Sequence, residues 1–468
     1  MKKIKGILFI LPALLLASCN FKYSYVIHGY VPEVIDDSEG EEGEGEGNSN
    51  NSSNSGGGGG STVDDAGEYS IKVWVDEKIK SLTEAQIASF TSMNPKYEIH
   101  ADVQPVSEGD ATSLMLNDVK NGADLFVFAQ DQLARLKVGG ALAKITGSYA
   151  RKIQEENSPE SVAAASLSNN IYAYPMTSDN GYFLMYDSRL LEDSDVGNIS
   201  SILNKIRGTG KKLYFKAQGD GFYGASYFLA KKNGEPNSAP LCSCDWDLNL
   251  ETGRFTDYHD TFNSANGLIG AKGVKEIADK GLVASDNSAS RFNNTAAAIV
   301  TGIWDYEVAY KRLAKTKDSA GNVTESYLRC AEMPCFTVDG QDYHLGSYDG
   351  YKLLGLKPQV NSKKASVCRK LAQYLTSEDC QTQRFEKVSW GPTNIASNEE
   401  PDVISHPGLA ALAKQHQYAT QQGQCPGEWF MSLKTAVGLI STSSTDAQLQ
   451  AALDTYSASL PGLVSDDD

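Results

Sequence analysis

Acidic and aromatic side chains stand at the ends of two segments with the pattern of buried β-strands. The segment YSIKVWV at 69–75 is followed directly by Asp76 and Glu77, and a later apolar run ends in Phe128 and Asp131. A carboxylate accepts hydrogen bonds from ligand hydroxyl groups, and an aromatic ring offers a flat apolar face. In open α/β sheets, ligands bind outside the carboxyl ends of the strands. These residues are therefore candidate ligand-binding residues by position.

Hydrophobic periodicity predicts the elements that position these residues. Strands are predicted over 69–75, 97–103 and 122–131, and helices over 82–93 and 111–121. A strand–helix–strand order gives a right-handed crossover between parallel strands. The predicted fold class is therefore α/β, built on a parallel sheet.

Aromatic residues are also dense over 171–191. Apolar runs at 171–176 and 182–186 flank a polar segment that contains an Asn-Gly pair, so they are predicted to form two paired strands joined by a turn. Pro175 has no N–H to donate, which predicts an edge or crossing position. Taken alone, this window fits core aromatics better than a ligand site.

A glycine-rich loop imitates a nucleotide-binding motif. Gly219, Gly221 and Gly224 match G-x-G-x-x-G between a predicted strand and a predicted helix, as in a dinucleotide-binding loop. The intervening Phe222 and Tyr223 are large, and they would crowd the backbone where a pyrophosphate must approach. We therefore reject a nucleotide site at this loop.

The amino terminus has the pattern of a bacterial lipoprotein signal. Lys2, Lys3 and Lys5 precede an apolar run at 7–16, and Leu-Ala-Ser stands directly before Cys19. The motif implies cleavage before Cys19 and diacylation of its sulfur, with palmitate among the expected lipids. Such acyl chains hold a protein at a membrane without a spanning helix. We expect an anchor in the cell membrane, with the chain facing the extracellular or periplasmic space. The alternative is cleavage elsewhere, with Cys19 incidental.

Composition separates a tether from a folded part. Residues 20–68 are acidic and rich in Gly and Ser, without the apolar content to fold, and we predict a disordered tether. The net charge of the whole chain is −17, and the part after the tether is acidic as well. Nucleic-acid binding is not expected, because it needs a basic surface. The remaining stretch of roughly four hundred residues is enough for two packed lobes.

Cysteine and histidine give no sign of a metal or catalytic centre. Seven cysteines follow Cys19, an odd number, so at least one is expected to stay outside intramolecular disulfide bonds. The sequence leaves open which of them pair. The six histidines are scattered, and neither G-x-S-x-G nor H-E-x-x-H occurs. We expect no metal site, no cofactor and no catalytic residues.

Several segments resemble, in order and spacing, the extracellular sugar-binding proteins that include the maltodextrin-binding proteins of bacterial ABC importers. They are K-V-W-V with a following acid, G-x-D-L-F-V-F-A-x-D, A-Y-P, TAAAIVTGIWDY at 295–306 and WFMSLKTAVGLI at 429–440. The resemblance covers nearly everything after Glu68. It implies a type II periplasmic-binding-protein-like fold, with two lobes joined by hinge crossings and a ligand cleft between them.

The resemblance also implies domain boundaries and a function. The amino-terminal lobe would comprise 69–147 and 348–388, and the carboxy-terminal lobe 148–347 and 389–468. The protein would be a monomer that captures a sugar, an oligosaccharide of maltodextrin type. It would deliver that sugar to the permease subunits of an ABC importer and have no enzymatic activity.

A sugar site needs a particular set of side chains. Sugar rings have apolar faces and hydroxyl rims, so they require aromatic surfaces and polar partners. The resemblance places Tyr174 at the cleft and makes Phe222 and Tyr223 stacking surfaces. The candidate ligand-binding residues are therefore Asp76, Glu77, Phe128, Asp131, Tyr174, Phe222, Tyr223, Trp304, Trp390, Trp429 and Phe430. The segment 233–260 departs from the family pattern, and its Trp246 is interpreted as part of a surface loop.

Three other functions compete with sugar capture. An exported glycoside hydrolase, or another carbohydrate-active lipoprotein, would also need aromatics and paired carboxylates at a cleft. A serine or metallo-hydrolase would need motifs that the sequence lacks, and a passive adhesin has no use for hinge closure. We therefore favour capture of a sugar.

Overall fold

The structure is a computed structural model that describes residues 65–279 and 281–464. The predicted export signal, the predicted lipidation site Cys19 and residues 20–64 of the predicted tether lie outside the described residues. Within the described residues, regular structure begins at Gly67, so the last two residues assigned to the predicted tether belong to the first strand.

The chain alternates between strands and helices. The strands are β1 Gly67–Val75, β2 Tyr97–Pro105, β3 Leu125–Ala129, β4 Ser166–Leu167, β5 Asn170–Ile171, β6 Ala173–Thr177, β7 Phe183–Asp187, β8 Lys212–Tyr214, β9 Lys231–Lys232, β10 Cys244–Leu248, β11 Phe255–Asp260, β12 Val283–Ala284, β13 Ala296–Thr301, β14 Ala314–Lys317, β15 Val323–Ser326, β16 Leu328–Ala331, β17 Cys335–Val338, β18 Gln341–His344, β19 Ser347–Asp349, β20 Lys352–Leu356 and β21 Ala419–Gln421. The α-helices are α1 Glu77–Met93, α2 Glu108–Asn117, α3 Leu133–Val138, α4 Gly147–Glu156, α5 Pro159–Ala164, α6 Ile199–Ile206, α7 Gly221–Gly224, α8 Ala265–Val274, α9 Tyr306–Arg312, α10 Ser362–Leu375, α11 Glu378–Val388, α12 Ile395–Glu399, α13 Pro401–Ser405, α14 Pro407–Gln415, α15 Trp429–Thr442 and α16 Asp446–Ser459.

The first lobe is built on a five-stranded sheet in the order β2-β1-β3-β20-β6. Strands β1 and β2 are parallel, as the strand–helix–strand order predicts. Side chains alternate between the two faces of a strand. In β1, Val73 therefore packs in the core under α1, and Trp74 packs in the core under α2 and α3. Strands β3, β20 and β6 of this sheet are buried on both faces, so only their ends are open to a ligand.

The second lobe is built on a second five-stranded sheet, in the order β12-β8-β13-β7-β16. Strand β13 (AAAIVT) is buried along its whole length, which its small and β-branched residues allow. Helices α8, α15 and α16 pack together beside this sheet, with Val437 and Leu453 in the same core as Leu213 of β8. The carboxyl-terminal helices therefore complete the second lobe.

The window at 171–191 crosses from one lobe to the other. Strand β6 pairs with β20 in the first sheet, whereas β7 pairs with β13 and β16 in the second. The prediction that these two runs pair with each other was wrong. The polar segment between them bonds to other crossing segments, with Ser178 N donating to Gly391 O at 2.9 Å and Asn180 N to Gly350 O at 3.1 Å. The crossing also lies later in the chain than the predicted boundary at 147/148.

Two further crossings meet the first one. The chain returns to the first lobe between β19 and β20, and it leaves again after α11, near Trp390. Gly181 is needed in the first crossing, because a Cβ there would lie 2.7 Å from Tyr348 O. Strand β21 then pairs in parallel with β19. The junction between the lobes is therefore built from segments that are distant in sequence.

The described helices include none that is both long enough and apolar enough to cross a membrane.

A buried carboxylate fixes the start of the folded part. Asp65 is fully buried and accepts hydrogen bonds from Lys96 Nζ at 2.9 Å, Tyr97 Oη at 3.0 Å, Ser366 Oγ at 2.8 Å and Lys370 Nζ. Burial alone would raise the pKa of Asp65, but these donors outweigh burial and hold its pKa well below the usual range. Because α10 contributes two of the donors, this contact ties the first described residue to the body of the first lobe.

Asp65→Asn should destabilise the protein by roughly 1.5–3 kcal/mol at neutral pH, since it removes charge-assisted hydrogen bonds. A carboxylate whose pKa is lowered in the folded state stabilises the fold at pH values above the ordinary aspartate pKa. This stabilisation is lost as the pH falls below that value. The difference between wild type and variant should therefore begin to shrink as the pH drops below about 4. Urea unfolding from pH 3 to 7 measures it, with the exposed Asp245→Asn as the matched control. Equal stability of the Asp65 and Asp245 variants at pH 7 would contradict this account.

Candidate functional site

The candidate site lies where the carboxyl ends of β1 and β3 in the first lobe face the ends of β8 and β13 in the second. We call this junction the cleft. Lys78, at the start of α1, donates from Nζ to the backbone oxygen of Trp304, just after β13, at 2.8 Å. The two lobes are therefore in direct contact across the cleft.

Four aromatic rings from distant segments form one surface of the cleft. Phe222 lies 5.2 Å from Tyr182, 5.2 Å from Tyr348 and 6.1 Å from Phe430, between ring centroids. Tyr182 and Tyr348 are buried, whereas Phe222 and Phe430 are half-buried. We call these four residues the aromatic wall. The half-buried rings of Phe222 and Phe430 leave surface available for stacking on a ligand.

Close backbone packing positions the wall and explains the glycine-rich loop. A Cβ on Gly221 would lie 2.0 Å from Phe430 O, and one on Gly224 would lie 2.8 Å from Ala217 O. Only glycine lets α7 approach the first turn of α15 so closely. Asp220 caps α7 by accepting from Phe222 N at 3.0 Å. The G-x-G-x-x-G match therefore serves packing.

A fully buried lysine lies where the two lobes meet. Lys352, at the start of β20, has no exposed surface, and its Nζ lies 3.6 Å from Glu108 Oε1 and 3.8 Å from Asp179 Oδ1. The same Nζ lies 4.0 Å from the ring centroid of Trp390 and 5.4 Å from that of Trp304. We call these five residues the Lys352 cluster. It joins the first lobe, the second lobe and two crossing segments.

The cluster leaves hydrogen-bonding capacity unused. Burial alone would lower the pKa of Lys352, but Asp179, Glu108 and Asp76 outweigh burial and raise it, so the ammonium stays charged at neutral pH. Among the described residues, no acceptor lies within hydrogen-bonding distance of Lys352 Nζ or Trp390 Nε1. Both groups are donors, so a ligand that supplies hydroxyl oxygens would give each of them the hydrogen-bond acceptor that it lacks.

Asp131 is a second incomplete group. Its Oδ2 accepts from Gln132 Nε2 at 2.6 Å, while its Oδ1 is buried without a partner in the described part of the chain. Burial raises the pKa of Asp131 to about 6, against the smaller opposing effects of Gln132 and Arg135. The Tyr348 hydroxyl is likewise buried without a partner among the described residues. Asp131 and Tyr348 are near enough for the charge of Asp131 to act on that hydroxyl.

Two sequence-predicted site residues lie in the core. Phe128 is fully buried 5.6 Å from Phe126, because alternation along β3 turns both rings toward α3. Tyr174 is fully buried in the first-lobe core, where its hydroxyl donates to Arg369 O on α10 at 3.4 Å. Both positions were predicted at the cleft, and the structure corrects them.

Four other predicted residues surround the site. Trp429 and Tyr223 are buried behind the aromatic wall, where Trp429 Nε1 donates to Tyr456 Oη at 2.7 Å and Tyr223 Oη accepts from Asn287 Nδ2 at 2.7 Å. Asp76 caps α1 by accepting from Lys78 N at 2.8 Å, and Glu77 is exposed in the first turn of that helix.

Several site residues were not predicted. Lys352 opens the otherwise apolar strand KLLGL, a signal that could have marked it, whereas Glu108, Asp179 and Tyr348 carried none. Trp246 was interpreted as a surface residue, yet it is half-buried and its ring lies 6.4 Å from Trp429. In the described part of the chain, no three His, Cys, Asp or Glu side chains are grouped to hold a metal ion. All seven cysteines there are unpaired thiols.

The geometry suits a ligand with flat apolar faces and many hydroxyl groups. The wall offers ring surfaces, while the Lys352 cluster and Asp131 offer both charged donors and charged acceptors. A hydroxyl can accept from the ammonium and donate to a carboxylate at the same time.

Comparison with known proteins gives a family and a fold. The family model described as bacterial extracellular solute-binding protein matches residues 85–411. Maltodextrin binding protein MalE1 from L. casei BL23, solved without ligand, has a similar structure, with a TM-score of 0.65, 18% identity, and coverage of 83% of this chain and 98% of that one. The GacH receptor of Streptomyces glaucescens GLA.O, solved unliganded and with acarbose, gives a TM-score of 0.64 at 18% identity, covering 84% and 98% of the two chains.

A cyclo/maltodextrin-binding protein in complex with maltotetraose gives a TM-score of 0.59 at 17% identity, covering 85% of this chain and 98% of that one. None of the curated protein sequences compared with this chain is significantly similar to it. The structural likenesses confirm the predicted two-lobed α/β fold.

Asp131→Asn should stabilise the unliganded protein above pH 6. When the pKa of a carboxyl group is raised in the folded state, the folded protein is more stable at low pH than at high pH. The difference develops as the pH rises toward the folded-state pKa and the group must ionise while buried. Replacing an ionised, incompletely bonded carboxylate should therefore gain about 2–3 kcal/mol at pH 8 and almost nothing at pH 4. Chemical unfolding at both pH values tests this, with the exposed Asp102→Asn as control. A variant less stable than wild type at pH 8 would contradict it.

Proposed function

The chain belongs to the bacterial extracellular solute-binding proteins, and from this premise we propose that its solute is a sugar, an oligosaccharide of maltodextrin type. The observation that carries this proposal is the combination of the aromatic wall with unpartnered buried polar groups at one cleft. Stacking surfaces and unused hydrogen-bonding groups are what the faces and rims of sugar rings require.

The structural neighbours support the same chemical class. One is named a maltodextrin-binding protein, another was solved with acarbose, and a third with maltotetraose. At this level of identity the likeness shows the fold alone, so the sugar is argued from the side chains of this chain. Lys352 and Asp131 provide the charge, and Phe222 and Phe430 provide the surface.

Capture would be coupled to movement of the lobes. A ligand that bridges the first-lobe Asp131 and the second-lobe Phe222 makes contacts that exist only when the lobes are close, so binding favours the closed state. We propose that the closed, loaded monomer delivers the sugar to the permease subunits of an ABC importer. The protein would bind the sugar without cleaving it, so maltodextrins incubated with it should yield no new reducing ends.

The amino-terminal motif completes the proposal. Lipid attachment at Cys19 would hold the protein in the cell membrane, and the acidic segment after it would let the lobes sample the space around the importer. The sequence Leu-Ala-Ser-Cys, with its preceding basic and apolar segments, supports the anchor.

Calorimetry with maltose through maltoheptaose tests the sugar directly. Wild type should bind at least one of them, and Phe222→Ala, Phe430→Ala or Trp304→Ala should each weaken that binding by roughly 1–3 kcal/mol, about fivefold or more in Kd. Tyr374→Ala removes a half-buried aromatic on α10, away from the cleft, and should leave affinity unchanged. Intact affinity in all three cleft variants would place the sugar elsewhere.

The anchor is tested separately. Cys19→Ala should release the protein from the membrane fraction of the producing cells or leave its signal uncut, because the thiol that carries the lipid is gone. Wild type and Cys19→Ala are compared by fractionation and by intact mass. A processed Cys19→Ala protein that still sediments with membranes would contradict lipid anchoring at this residue.

A further inference from the structure

A β-hairpin, formed by β10 and β11, projects from the second lobe inside the segment that departs from the family pattern. Its base is held by aromatic packing, with Trp246 5.6 Å from Tyr258 and 6.4 Å from Trp429. The strands pair in antiparallel register from Cys244 with Asp260 to Leu248 with Phe255. The hairpin is therefore fixed to Trp429, which lies behind the aromatic wall.

The tip of the hairpin reaches the first lobe. Lys137 on α3 donates from Nζ to Leu250 O at 2.9 Å. Gly253 packs so closely on Val138 that a Cβ at this position would lie 2.7 Å from Val138 Cγ1. The hairpin thus spans the gap between the lobes.

The turn at the tip is internally stiff. Asn249 Oδ1 accepts from the backbone N of Glu251 at 2.9 Å and of Thr252 at 3.0 Å, and Asn249 N donates to Arg254 O at 2.9 Å. Gly253 has φ +71°, a conformation that glycine adopts without strain. A preformed turn of this kind can close a space without a large ordering cost.

The hairpin contact lies at one end of the cleft. Helix α1 packs on one face of the first sheet and α3 on the other. The contact from Lys78 to Trp304 is made by α1, and the contact from Lys137 to Leu250 is made by α3. The two contacts therefore enclose the cleft from opposite ends, and the α3 end is covered by a whole hairpin.

We propose that the hairpin Cys244–Asp260 closes the α3 end of the cleft and restricts the protein to short saccharides. A chain that enters from the α1 side would end against the hairpin, beside Trp246, and a longer chain could not extend past Val138. This inference rests on the proposed sugar function and adds a limit on ligand length.

The test compares affinity along the maltodextrin series. In the main variant, Leu250–Gly253 are deleted and Arg254→Gly is introduced, leaving an Asn-Gly turn between the paired residues Leu248 and Phe255. Lys137→Ala is a milder second variant that keeps the hairpin intact. Lys144→Ala, an exposed lysine of the same lobe, is the matched control.

Wild type should bind maltoheptaose at least about tenfold more weakly than its best short maltodextrin. The shortened hairpin should remove most of that difference, Lys137→Ala part of it, and Lys144→Ala none. If the shortened protein does not fold, Lys137→Ala alone decides the outcome. Equal affinity of wild type for all lengths, or no gain for maltoheptaose in either hairpin variant, overturns the inference while leaving sugar capture intact. If none of the maltodextrins binds to wild type, both the proposed function and this inference are overturned.

Discussion

A buried positive charge is the constraint on which the junction between the lobes depends. An ammonium group removed from water costs several kcal/mol unless opposite charges surround it. Around Lys352 these charges come from Glu108 after β2 and Asp179 in the first crossing, and Trp390 in a later crossing covers the ammonium with its ring. Asp179 in turn accepts from Gly391 N at 2.8 Å. One charge therefore requires the crossing segments to meet in a single arrangement.

The same arrangement leaves the junction incomplete in a way that a ligand can use. The carboxylates compensate the charge of Lys352 from 3.6 and 3.8 Å, longer than ordinary hydrogen bonds, so the ammonium can still donate to a ligand. Asp131, which is also buried, contributes a hydrogen-bond acceptor. Buried groups of this kind interact strongly with a hydroxyl that reaches them, because little water competes. Electrostatic structure and ligand recognition are therefore two consequences of one cluster.

Much of the fold could be predicted from the sequence, whereas only part of the site could. The parallel pairing of β1 and β2 could be predicted because the two strands and the helix between them are consecutive in the chain. The pairing of β6 with β20 depends on residues that are distant in sequence, so periodicity identified the strand without its partner. The positions of Phe128 and Tyr174 were predicted wrongly. In a strand that is buried on both faces, the sequence pattern does not show which face turns toward the ligand site and which toward the core. Lys352 and Asp179 gain their roles only from three-dimensional neighbours.

A crystal structure of the protein with a bound maltodextrin tests the central claim most directly. If the cleft is the sugar site, the rings of the sugar should lie against Phe222 and Phe430, with hydroxyl groups within about 3.2 Å of Asp131 Oδ1 and Lys352 Nζ. A sugar bound outside the cleft, with both of these groups still lacking a partner from the ligand, would contradict it.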